Sequence, residues 1–67
     1  MHTVYDVQQL LKRFGAFIYM GDRLSDLEVM ESEIKELYFA NLIQKEQFQQ
    51  ALFVLRSEII KEQKNKE

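Results

Sequence analysis

Gly15-Ala16-Phe17-Ile18-Tyr19-Met20-Gly21 is the stretch on which the fold class turns. Five consecutive apolar residues between two glycines are too apolar for a solvated loop. A strand there would need a partner, and no other segment alternates apolar and polar residues at period two. The stretch therefore reads as a buried connector between helices, which makes the chain all-α.

The flanking sequence supports that reading. On the N-terminal side, Thr3 stands three residues before Asp6, a capping-box-like start with an acid in the first turn. Val4, Val7, Leu10, Leu11 and Phe14 follow at spacings of three and four, one face of a helix over about 4–14 that stops near Gly15. On the C-terminal side, Gly21-Asp22-Arg23 is turn chemistry. Ser25 with Glu28 predicts a second capping box, with Leu24 and Val29 as a hydrophobic staple and Asp22 as the alternative cap. Leu27, Met30, Ile34, Leu37 and Tyr38 then form the stripe of a helix over about 25–40, with Asn41 as its stop. Phe48, Ala51, Leu52, Leu55 and Ile59 repeat the spacing in a third helix over about 44–60, and 61–67 reads as a solvated tail. Two glycines and no proline suit long helices, and the short connections suit a compact three-helix bundle forming a single domain over 1–67.

Composition bounds what such a bundle can do. A chain of 67 residues buries about 60% of the surface it exposes when unfolded, so one core is the limit. The absence of cysteine removes disulfides, thiolate metal sites and cysteine nucleophiles together, and fits a reducing cytoplasm. Oligomerisation is the stabilising device left to so small a core. The longest apolar runs, Ala16 to Met20 and Ala51 to Leu55, fall far short of the roughly 20 residues that span a bilayer. Met1-His2-Thr3-Val4-Tyr5-Asp6 is not a signal-peptide start, so a cytoplasmic protein is expected. A net charge of −2 disfavours a chain-wide attraction to phosphate backbones. The acids concentrate in the second helix, where Asp22, Asp26, Glu28, Glu31, Glu33 and Glu36 face only Arg23 and Lys35.

No residue pattern supplies catalytic chemistry. His2 is the only histidine and sits in a terminal dipeptide, whereas a general base must be held within reach of its substrate. Of the hydroxyl residues only Thr3 has a histidine beside it, His2, and Thr3 reads as the cap of the first helix, while the serines are caps or solvent-facing hydroxyls. Glu28 with Glu31 and Glu33 with Glu36 share helix faces, but no Glu-x-x-His and no second carboxylate cluster completes a metal shell. Glu31 with Lys35 is simply an i,i+4 ion pair. An anion at the Gly21-Asp22-Arg23 helix start would meet Asp22, Asp26 and Glu28. The chain is therefore expected to be no enzyme and to need no cofactor or metal.

What remains is an apolar strip off the main stripe of the third helix. Phe53 and Ile60 lie seven apart, about 140° and 120° around the helix from Phe48. Arg56 and Gln49 project between that pair and the core, and Lys64 follows one turn later. Phe39 lies off the stripe of the second helix in the same way, unless it folds against Leu42 and Ile43. Phe53 can cover the connector, form a contact with another protein or a second copy, or join the basic residues as a platform for unstacked bases.

The run Tyr5-Asp6-Val7-Gln8-Gln9-Leu10-Leu11-Lys12, followed by Phe17-Ile18-Tyr19, Gly21-Asp22-Arg23-Leu24, Asp26-Leu27-Glu28 and Glu33-Ile34-Lys35-Glu36-Leu37, closely resembles the YqgQ-like family of small bacterial proteins. The resemblance spans about Thr3 to Ile60 in order. It implies a cytosolic protein with a compact three-helix fold and no family catalytic residues, and it adds single-stranded nucleic-acid binding as a suggestion from fold. Residues and resemblance together predict a non-enzymatic interaction module contacting another protein or itself through Phe53, Ile60, Arg56, Lys64 and Phe39. The alternative is a single-stranded nucleic-acid binder, which the net charge disfavours and which would need Lys12, Arg13, Arg56, Lys61 and Lys64 on one side.

Overall fold

A computed structural model describes residues 1–65 and contains, among them, three helices and no strand: α1 (Val4–Arg13), α2 (Arg23–Phe39) and α3 (Lys45–Asn65). The fold is an all-α three-helix bundle. α2 and α3 make its most extensive contact, and α1 packs on both.

Each helix begins where a side chain can take up free backbone N–H groups. Thr3 caps α1 in a complete capping box: its hydroxyl accepts from the Asp6 N–H at 3.3 Å, and Asp6 Oδ2 accepts from the N–H groups of His2 (2.9 Å) and Thr3 (3.2 Å). The cap of α2 is Asp22 rather than Ser25, so this helix starts two residues earlier than expected. Asp22 Oδ2 accepts from both the N–H and the hydroxyl of Ser25 at 3.0 Å. With Asp22 as cap, the staple position before it falls to Gly21, which has no side chain, and Leu24 and Val29 both lie inside the helix. At α3 the side chain of Gln47 accepts from the Gln44 N–H at 3.0 Å.

α1 and α2 end in the same way. Ala16 N–H reaches the Leu11 carbonyl and Gly15 N–H the Lys12 carbonyl; Leu42 N–H reaches that of Leu37 and Asn41 N–H that of Tyr38. This paired pattern requires a left-handed residue just past the helix, met by Gly15 at φ +81° and Asn41 at φ +61°. The expected stops at Gly15 and Asn41 are thus the observed ones. α3 has no such stop at Ile60 and continues helical through Asn65, with most of its last turn in solvent. The expected start of a tail at residue 61 is therefore corrected; positions 66 and 67 lie outside the described residues.

Val4, Val7, Leu10 and Leu11 of α1, Leu27, Met30 and Ile34 of α2, and Ala51, Val54 and Leu55 of α3 form the core, joined by Ile43. Val54 and Ile43 were not on the expected stripes, and Phe14, which was, is partly in solvent. Tyr38 stacks on Phe48 with ring centroids 4.1 Å apart and planes 4° from parallel, fastening α2 to the start of α3. The N-terminal ammonium donates to Gln50 Oε1 at 3.0 Å and draws the head of the chain onto α3.

The connector is not buried as a whole. Residues 16–20 run without turn or bend, and Ala16 and Ile18 face the core while Phe17, Tyr19 and Met20 face solvent. Ala16, Phe17, Ile18 and Tyr19 alternate between core and solvent, and Met20 breaks the alternation by facing solvent next to Tyr19.

Candidate interaction surface

α3 is 21 residues long, about 31 Å at 1.5 Å per residue, in a molecule whose long dimension is 37 Å. Its inner face carries Ala51, Val54 and Leu55, and Phe53 and Ile60 lie on the opposite side of the helix. Phe53 is 75% exposed and Ile60 53%. With Gln49, Leu52, Arg56 and Ser57 they line one shallow groove on the outer face of α3. Phe53 therefore does not cover the connector. It and Ile60 keep their apolar area in water.

The basic margin of this groove is not free charge. Arg56 Nη2 lies 3.7 Å from Glu31 Oε1, and the same carboxylate oxygen meets Lys35 Nζ at 3.1 Å, the i,i+4 pair expected within α2. Lys61 Nζ pairs with Glu58 at 3.4 Å. Lys64 is exposed one turn past Ile60 and does not line the groove. Lys12 and Arg13 occupy the last turn of α1. Phe39 is 73% exposed at the C-terminal end of α2, its ring 5.9 Å from that of Tyr38, so it neither folds inward nor joins the α3 groove. The structure thus brings together Phe53, Arg56 and Ile60 in one groove, with Lys64 one turn beyond it on α3 and Phe39 at the end of α2.

A second exposed apolar surface was not anticipated. Phe14, Phe17, Tyr19 and Met20 stand in solvent along the end of α1 and the connector. Beside them a groove between α1 and the connector is floored by Leu11 and Met30 and edged by Gln8 and Lys12. The signal for it was present in the connector itself, since an apolar run without a partner layer must leave one of its faces outside.

Among the described residues no three His, Cys, Asp or Glu side chains come close enough to hold a metal, and no buried side-chain polar atom lacks a hydrogen bond. Asp6 titrates below the usual carboxylate range because the His2 N–H, and then the Thr3 N–H, donate to its ionised form. That shift belongs to a helix cap.

A small bundle of three capped helices with exposed apolar strips defines a compact all-α protein. The chain belongs to the YqgQ-like family, whose pattern it matches over residues 1–61. It is 54% identical over 59 residues to a protein of Bacillus subtilis (strain 168) named "Uncharacterized protein YqgQ", covering 88% of this chain and 83% of that one. No helix among the described residues is long and apolar enough to cross a membrane.

Proposed function

We propose that this chain is a non-enzymatic cytoplasmic interaction module that docks a protein partner on the outer face of α3. The observation that carries the reading is the exposure of Phe53 and Ile60 on one groove, on the side of α3 turned away from the core. Exposed apolar side chains grouped on a groove and rimmed by polar residues are what a docking surface presents before it is covered. Arg56 fits the rim of such a site, since arginine is favoured at protein contacts and Glu31 already balances its charge. Single-stranded nucleic acid ranks second. An aromatic ring flanked by cations suits unstacked bases, but Arg56 and Lys61 are engaged with Glu31 and Glu58, and the net charge is −2.

Capture on immobilised protein separates the two, because phosphate contacts release counterions and weaken steeply with salt whereas apolar contacts do not. The partner is expected to stay bound as salt rises, and to be lost with Phe53→Ser or Ile60→Ser while circular dichroism still reports the helices. A labelled oligonucleotide is expected to show no saturable binding at physiological salt. Saturable micromolar binding of that oligonucleotide, weakened by Arg56→Ala, would reverse the ranking.

A further inference from the structure

The six residues lining the α3 groove form two overlapping sets: Gln49, Leu52, Phe53 and Arg56, then Phe53, Arg56, Ser57 and Ile60. Each has the spacing i, i+3, i+4, i+7, the four-residue hole that receives one side chain from a facing helix in knobs-into-holes packing. The seam running through both holes is Gln49, Phe53, Arg56, Ile60, with steps of four, three and four, which is a heptad repeat. Phe53 and Ile60 occupy one seam position of the heptad, and Gln49 and Arg56 the other. The groove therefore accepts a helix as its occupant.

Resting on the docking reading above, we infer that this helix is α3 of a second copy, packed antiparallel about a two-fold axis passing between positions 54 and 55. The pattern of the seam is the reason. A uniformly apolar partner would press Gln49 and Arg56 against hydrocarbon without hydrogen-bond partners. A parallel second copy would set Arg56 directly against another Arg56. Reversed, the seam complements itself: Phe53 meets the second copy's Arg56, Ile60 meets the second copy's Gln49, and the two-fold repeats both layers. A guanidinium packs favourably on an aromatic face. Arg56 enters the contact beside Glu31, so its charge is covered together with a counter-charge. The interface is isologous and closed, so it stops at a dimer rather than growing into a fibre. It also supplies the oligomeric support that a core of this size, built without disulfides, can use.

The test uses the intact purified chain. Sedimentation equilibrium between about 1 µM and 1 mM should show a concentration-dependent passage from monomer to dimer, the range expected of a contact confined to one helix face. Phe53→Ser should raise the dissociation constant by about tenfold or more, as truncation of a central aromatic anchor does. Because no native cysteine interferes, orientation can be read from single-cysteine variants. A mixture of Gln49→Cys and Ile60→Cys chains should form the mixed disulfide on oxidation, while Gln49→Cys alone should not cross-link. A wild-type chain that stays monomeric throughout overturns the inference. If Phe53-dependent capture of a different protein survives that result, the docking reading stands and only the second copy is excluded. Ready cross-linking of Gln49→Cys to itself overturns the antiparallel arrangement.

Discussion

Asp6 shows how one side chain ties the start of α1 to pH. Its carboxylate accepts from the N–H groups of His2 and Thr3, and both bonds favour the ionised form, so its folded pKa lies below the ordinary value of 3.8. A depressed folded value means that the cap contributes fully above 3.8 and is lost as pH falls through the lower folded value. Asp6→Asn should therefore lower thermal stability at neutral pH and flatten part of the acid limb of the stability curve, while leaving the alkaline side unchanged. Leu55 works at the same scale in the core. It is fully buried at the middle of α3, and Leu55→Ala should cost about 2–5 kcal/mol, comparable with the whole stability of so small a domain. Thermal denaturation followed by circular dichroism should show a midpoint lowered by many degrees or no cooperative transition at all.

Among the elements, α2 shows where local sequence stops deciding. Asp22 and Ser25 are both good capping residues, and Ser25 with Glu28 matches the box as well as any pair could. Asp22 takes the cap because Gly21 at φ +83° turns the chain in front of it, and because Asp26 Oδ1 reaches back to the Met20 N–H at 2.6 Å. That last bond closes the turn from the helix side. Asp22→Ala should accordingly cost about 0.5–2 kcal/mol, and Ser25→Ala much less, in paired chemical denaturations. Equal losses would return the cap to Ser25. The stripes of all three helices were legible because helical periodicity is local, and so were the stops at Gly15 and Asn41, where only a residue tolerant of positive φ fits. The extension of α3 past Ile60 was not, since nothing between Lys61 and Asn65 breaks a helix and only packing or solvent decides where it frays. The off-stripe position of Phe53 and Ile60 was likewise readable from angle alone. Their exposure depended on where α1 and the connector come to rest, and those are long-range facts. Where Phe39 comes to lie relative to Phe53 is set in the same way, by how α2 and α3 pack.

At the scale of the molecule, the bundle is an α2–α3 hairpin, fastened at its turn by the Tyr38–Phe48 stack, with α1 laid against it. α1 is held by Val4, Val7, Leu10 and Leu11 in the core and, at its head, by the terminal ammonium on Gln50. Since no ligand set assembles among the described residues, dialysis against a chelator should leave helicity and thermal midpoint unchanged; a drop that zinc or magnesium restores would refute that expectation. The connector adds a consequence on another axis, that of time. The backbone N–H groups of Phe17, Ile18 and Tyr19 have no acceptor among the described residues, whereas those on either side, at Ala16 and Met20, are bonded. In deuterated water these three amides should exchange at nearly the rate of an unstructured peptide. The α2 and α3 amides around Leu27, Ile34 and Leu55 should wait for global opening, and those of α1 should fall between, released whenever that helix lifts off its hairpin. Isotope uptake would then appear as three separate clocks in a chain of 67 residues, the fastest at its most apolar exposed segment.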